Sequence, residues 1–367
     1  MTEKQYGGAT GRENKSTKIS ETSNFQKQSQ PKNARTTKLE NSKSNLTDKE
    51  KILKAGKIAG EVKEYAKTII KKQMPLLEIA EKIEDKIIEL GGKPAFPVNL
   101  SINEIAAHYT PNADDKSTAE GLLKIDLGVH IDGWIADTAI SFDLENSGSQ
   151  EASEDLKKSS EENKKLIQAS KDALENAIEF ISKKISPKRA PNGEKREILT
   201  TGEIGKKIQE TIKSRGFLPI INLSGHQIEQ YNLHAGLIIP NIDNKSTEII
   251  KPGLYAIEPF ATNGNGKIRD GKPSGIYMLT NSKNPRTPIA REVLNYVGEE
   301  YQTLPFCSRW LVKKFNTKVL FALKQLEENG NLHQFPQLIE TSNSKVSQTE
   351  HTILIDENGE VIVTTRD

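Results

Sequence analysis

The sequence predicts an α/β (α+β) fold with pseudo-two-fold symmetry: two similar halves facing each other across a cleft, plus a small helical insertion. Three observations point there. Two pairs of amphipathic helices recur along the chain, each pair ending at glycine. Each pair is followed by a related phrase, "FPVNLS" at 96–101 and "FLPIINLS" at 217–224. A histidine follows each phrase, His108 after the first, His226 and His234 after the second. Coincidence in a six-residue phrase is the competing explanation.

Taken in order, residues 1–46 hold Ser, Thr, Asn, Gln, Lys and Glu with almost no apolar side chains. They are expected to form a disordered polar tail, because too little surface is buried to offset the entropy of ordering. Helix should start at Thr47, where "TDKE" is a capping box and Ile52, Leu53, Ile58, Ala59, Val62, Ala66 and Ile69 follow at helical spacing. A second helix, Leu76 to Leu90, stops at Gly91 and Gly92. The next pair spans Ile167 to Ile185 and Thr201 to Arg215 before Gly216. Polar segments punctuated by Pro and Gly, at 144–163 and 186–200, read as loop extensions. Three short helical patterns then occupy 286–330. The expected organisation is a tail at 1–46, a main body at 47–278 and 336–367, and a helical insertion at 279–335.

With 367 residues, 34% apolar and 28% charged, the chain can bury a substantial core. No window approaches the ~18 uninterrupted apolar residues of a membrane span, and the first residues lack the apolar core of a secretory signal. A soluble cytoplasmic protein with no membrane association is expected. The single cysteine, Cys307, rules out an internal disulfide and a thiolate cluster, so any metal must be held by oxygen and nitrogen. Lys plus Arg total 52 against 50 for Asp plus Glu, a balance that argues against a protein built to wrap nucleic acid. Arg309, Lys313 and Lys314 on the insertion could face phosphate, although exposed basic residues on a helix are more often a solvated face.

Chemistry concentrates in "LLKIDLGVHIDGWIADTAISF" (122–142), where Asp126 and Asp137 sit in otherwise apolar strand patterns. Burying an unpaired carboxylate costs several kcal/mol, so two in one sheet call for a compensating cation. Asp132-Gly133 is a favoured two-residue hairpin turn, which would set Asp137 opposite Gly128 with Asp126 two residues along the same face. A bulge would change that pairing. Further candidates are His226, Glu258 before Pro259, and Glu350 at a strand start. Taken singly, a buried histidine is usually a hydrogen-bonded core group, and a strand glutamate usually faces water. Together they make four carboxylates and one imidazole, a donor set suited to a pair of divalent ions.

The phrases "FPVNLSINEIAAHYTPNADD", "KIDLGVHIDGWIADTA", "NLSGHQIEQYNLHAG", "YAIEPFA", "TLPFCSRWL" and "TEHTIL" resemble those of methionine aminopeptidases of type II, and the ending "VIVTTRD" is similar to archaeal members. The resemblance runs from about residue 48 to the end of the sequence. It implies a pita-bread fold whose type II mark is the helical insertion. It implies five metal ligands, Asp126, Asp137, His226, Glu258 and Glu350, holding two divalent ions (Co, Mn, Fe or Zn). Asp126 would hold one ion, His226 and Glu258 the other, with Asp137 and Glu350 bridging. Glu258 would also act as general base, with His108 near the scissile amide and His234 on its carbonyl. Phe96, Leu233, Ile276 and Phe335 would line the methionine pocket; eukaryotic members carry His and Tyr at the last two positions. The implied activity is co-translational removal of the initiator methionine when the second residue is small, by a monomer working near the ribosome. The competing expectation is a non-catalytic ribosome- or RNA-binding relative of the same fold, from which metal ligands have been lost.

Overall fold

The computed structural model describes residues 46–145, 153–185 and 198–366. The expected tail lies outside them except for Leu46, as does most of the 186–200 segment. No helix among the described residues is long and apolar enough to cross a membrane.

Helices α1 (Asp48–Ile69) and α2 (Leu76–Glu89) lead into strands β1 (Lys93–Ile102), β2 (Ile105–Ala107), β3 (Leu122–Ile131) and β4 (Trp134–Asp143). Helices α3 (Glu154–Ile185) and α4 (Thr201–Ser214) lead into β5 (Leu218–Pro219), β6 (Ser224–Ile228), β7 (Ile238–Pro240), β8 (Gly253–Ile257) and β9 (Phe260–Thr262). The long β10 (Ile268–Leu279) precedes α5 (Pro288–Glu300), β11 (Phe306–Cys307), α6 (Ser308–Phe315) and α7 (Val319–Glu328). The chain closes with β12 (Leu332–Glu340), β13 (Val346–Gln348), β14 (Glu350–Ile355) and β15 (Val361–Val363).

The capping box forms at the start of α1: the Thr47 hydroxyl accepts from the Glu50 N–H, and Glu50 accepts from the Thr47 N–H at 2.6 Å. The main sheet runs β1-β3-β4-β14-β8-β6-β7, with β15 paired to β14. One helix pair covers its first half, where Ile58, Val62, Ile79 and Ile83 pack against Ile125, Leu127 and Val129. The other covers the second half, with Leu174, Ile204 and Ile208 against Tyr255, Ile257 and Ile353. Both helix pairs therefore pack on the sheet through apolar faces, and the acidic residues of the site sit on the opposite sides of those strands. A third core, Val293, Val297, Phe306, Leu311, Leu323 and Leu326, holds α5, α6 and α7 together.

Three expectations need correction. Residues 154–163 are not loop: α3 starts at Glu154, because this stretch is rich in Glu and Lys and lacks Pro and Gly. Its buried Ser160 and Asn163 are held by hydrogen bonds to Asp143. The second phrase is less regular than the first, with strand only at Leu218–Pro219 before a turn into β6. Arg309 faces the interior, where its guanidinium makes a bidentate pair with Glu84 at 2.7 and 2.8 Å, so it is not available to phosphate.

Candidate metal centre

The β3–β4 hairpin turns through Asp132 (φ 49°) and Gly133 (φ 84°), both left-handed, which is the backbone of a tight turn matched to strand twist. No bulge interrupts the ladder from Leu122↔Asp143 to Ile131↔Trp134, so Gly128 lies opposite Asp137, and Asp126 opposite Ala139. The missing side chain at Gly128 does not leave an open space between the two aspartates. It admits the Phe96 ring, whose Cε1 would lie 2.3 Å from any Cβ added there.

Glu350 opens β14 opposite Ala139, and His226 lies on β6 opposite Ala256 of β8. Glu258 falls just after β8, in the break before β9. Pro259 supplies no N–H to continue a ladder, and the β8–β14 pairing ends at Ile257↔His351. Side chains from these strands converge. Ligand atoms of Asp137, His226 and Glu350 lie within 4.8 Å of one another. His226 Nε2 is 3.8 Å from Asp137 Oδ2 and 3.6 Å from Glu258 Oε1. Asp126 is tied in by Gln348, whose Nε2 donates to its Oδ2 at 3.3 Å.

This arrangement is uncomfortable without a cation. Asp126 Oδ1, Asp137 Oδ1 and Glu350 Oε1 are buried and have no hydrogen-bond partner. Burial, reinforced by the neighbouring carboxylates, pushes the pKa of Asp137 and Glu350 well above the usual range, and burial with the Asp126 charge does the same to Glu258. Burial raises Asp126 to about 7 and lowers His226 to about 4. Orphaned hard oxygens around a neutral imidazole fit divalent cations.

The remaining site residues divide between two places. The His234 ring is centred 4.4 Å from that of His226. His108 sits in the left-handed region at φ 61°, unusual for a residue with a Cβ, and its Nδ1 is 3.2 Å from the Pro336 carbonyl. A carbonyl only accepts, so Nδ1 carries the proton and Nε2 keeps its lone pair. Phe96 and Leu233 meet in one apolar cluster with Leu304, Leu354 and Ile228. Ile276 lies on β10 opposite Cys307, and Phe335 on the adjacent β12 puts its ring 5.5 Å from His108.

Sequence reasoning missed the groups that hold these carboxylates in place. The β4–β14 ladder has only two backbone pairs, Glu350↔Ala139 and His351↔Thr138. Buried hydroxyls extend it. Thr352 Oγ1 accepts from the Asp137 N–H and donates to the Asp137 carbonyl, both at 2.8 Å. Thr138 donates to the Glu350 carbonyl at 2.9 Å, and Ser141 to the Gln348 carbonyl at 2.7 Å. A residue such as Thr in a strand is unremarkable in sequence, so nothing local distinguished them.

The chain belongs to metallopeptidase family M24, whose model matches residues 50–357. Within that class it belongs with the methionine aminopeptidases of archaeal type. It is 44% identical over 318 residues to the methionine aminopeptidase of Methanocaldococcus jannaschii, covering 86% of this chain and 98% of that relative. A solved structure of a thermophilic Arx1 shares the fold with a TM-score of 0.70 at 15% identity, over 86% of this chain and 90% of that one. The methionine aminopeptidase of Thermotoga maritima does so with a TM-score of 0.56 at 20% identity, over 87% and 96%. The pita-bread expectation holds.

Proposed function

We propose that this protein removes the initiator methionine from nascent proteins with a small second residue, acting in the cytoplasm as a monomer close to the ribosome. The observation that carries the reading is the convergence of Asp137, His226 and Glu350, with Glu258 against His226 and orphaned oxygens on Asp126, Asp137 and Glu350, in a methionine aminopeptidase chain. In this reading Asp126, Asp137, His226, Glu258 and Glu350 would hold two divalent ions, Asp126 serving one, His226 and Glu258 the other, and Asp137 and Glu350 both. Cobalt, manganese, iron or zinc would satisfy the donors. When bound, such ions polarise the carbonyl of the first residue and lower the pKa of a shared water.

The protein's own groups do the rest. Glu258 takes the proton from the attacking water and returns it to the leaving amine. His234 donates to the carbonyl oxygen as charge develops there. His108, protonated on Nδ1, presents its Nε2 lone pair to the N–H of the scissile amide and so orients it. In this reading Phe96 and Leu233 from one side and Ile276 and Phe335 from the other would wall the pocket for the thioether, whose flexibility suits an irregular apolar slot. A bulky second side chain would push the carbonyl out of line, and a displacement of about 1 Å can cost a hundredfold in rate.

Peptide kinetics test this. Met-Ala-Ser and Met-Gly-Met should be cut efficiently, Met-Lys-Ser and Met-Phe-Ser poorly, and formyl-Met-Ala-Ser hardly at all. Activity should vanish after exhaustive chelation and return with cobalt or manganese. Equal kcat/KM for alanine and lysine at the second position would overturn the assignment.

A further inference from the structure

We propose that Asn99 is a substrate-specificity residue: its side-chain oxygen accepts a hydrogen bond from the free α-amine of the substrate's first residue. The inference rests on the reading of the site given above. It starts from a register irregularity on β1, where Phe96 pairs with Gly128 and Asn99 with Asp126. Three steps on β1 therefore match two on β3, and the extra residue is a bulge. Directly opposed residues in an antiparallel pair share a face, so the bulge turns Asn99 to the side that carries Asp126 and the Phe96 ring. Without it, residues 96 and 99 would point to opposite faces.

The orientation of the Asn99 amide is fixed by its own neighbour. Nδ2 donates to the Pro97 carbonyl at 3.0 Å, and a carbonyl can only accept, so the other branch is the oxygen. That oxygen is buried and has no partner, as are Asp126 Oδ1 and Asp137 Oδ1, while Asn99 as a whole is 5% exposed. A buried acceptor left unmatched in the free protein is the kind of group that a bound donor satisfies.

Strand order identifies the donor. Across the sheet the polar groups run from Asn99 on β1, through Asp126 on β3, Asp137 on β4 and Glu350 on β14, to His226 on β6. His234 stands beside His226, so the substrate carbonyl belongs at that end. The amine, one Cα away from the carbonyl, then lies toward β1, where Phe96 receives the side chain. An amine carries N–H donors that a dehydrated site must match, and Asn99 supplies a neutral acceptor that adds no charge to four crowded carboxylates.

The test compares two ligands on the manganese-loaded full chain. L-methionine and 4-(methylthio)butanoate share the side chain and carboxylate and differ only in the amine. Calorimetry on Asn99→Leu and Asn99→Ala should show methionine binding weakened roughly tenfold or more, with 4-(methylthio)butanoate unchanged. KM for Met-Ala-Ser should rise, and the manganese Kd should stay at the wild-type value. Equal weakening of both ligands would reduce Asn99 to a pocket wall, and a weakened manganese Kd would make it part of the ion's own shell; either overturns the proposal, as does no change. Wild-type protein inert on Met-Ala-Ser would remove the functional reading itself, a failure visible before any variant is made.

Discussion

His130 accepts the Gly133 N–H through Nδ1 at 3.0 Å, next to the turn that sets the hairpin register, and burial pushes its pKa down to about 4. In the unfolded chain the same imidazole titrates near 6.5, so on acidification the unfolded state takes up the proton first. The stability that depends on neutral His130 is therefore complete above about pH 6.5 and is lost as the pH falls toward 4. His130→Asn keeps an acceptor for Gly133 and does not titrate. In urea unfolding, the wild type should lose about 2 kcal/mol more than this variant between pH 7 and pH 5; parallel losses would place the pH sensitivity elsewhere. Glu258 makes the opposite case, a carboxyl whose pKa is raised by burial and by the Asp126 charge. Glu258→Gln puts an uncharged amide of the same shape where a carboxyl is disfavoured, so the metal-free variant should be at least as stable as the wild type. Its kcat should nonetheless fall about a hundredfold or more, because an amide cannot relay the proton. Near-normal kcat would mean that another group is the base.

Among the strands, the seam between β4 and β14 sets the spacing of Asp137 and Glu350. Two backbone pairs alone would let the strands shift, and the buried hydroxyls of Thr138, Ser141 and Thr352 fix them on both sides of those pairs. Thr352 is fully buried, and it also holds the end of the chain, since its carbonyl accepts from the Thr364 N–H at 2.9 Å and its own N–H donates to Thr365 Oγ1 at 3.2 Å. Thr352→Val keeps the shape and loses both bonds to the Asp137 backbone. Groups that orient ligands from behind typically matter by 10- to 100-fold in metal affinity, so the manganese Kd should weaken by about tenfold. The visible spectrum of the cobalt form should change as well, and Thr352→Ser should restore both. A variant that merely melts earlier, with unaltered Kd and spectrum, would make the seam a stability device only.

For the whole molecule, what was legible in sequence was what is local or strongly patterned. The capping box at Thr47 and the Asp132-Gly133 turn each act within a few residues, and the turn alone sets the pairing of Gly128 with Asp137. That His226, Glu258 and Glu350 join that hairpin was suggested by their donor chemistry and made specific only by phrases that resemble a family. Asn99, Gln348 and the seam hydroxyls stayed hidden, because their roles exist only once strands far apart in the chain are neighbours. So did the link between the helical insertion and the body. Arg309 on α6 pairs bidentately with buried Glu84 on α2, whose Oε2 also accepts from Trp310 at 2.8 Å. The same guanidinium donates to the Pro111 carbonyl at 3.0 Å and to the Thr110 hydroxyl at 3.4 Å, in the segment that immediately follows His108. Helix α6 thus anchors both α2 and the backbone next to His108. Arg309→Leu leaves the Glu84 carboxylate buried without its cation, which should cost about 3–5 kcal/mol. The double variant Glu84→Leu/Arg309→Leu removes the stranded charge and should recover much of that loss. It should not recover the anchor on Pro111. We therefore expect the double variant to fold, bind manganese with wild-type affinity, and show faster hydrogen exchange at residues 108–112 with a lowered kcat on Met-Ala-Ser. Wild-type exchange at 108–112 in that variant would show that the insertion is anchored for stability alone and has no part in positioning His108.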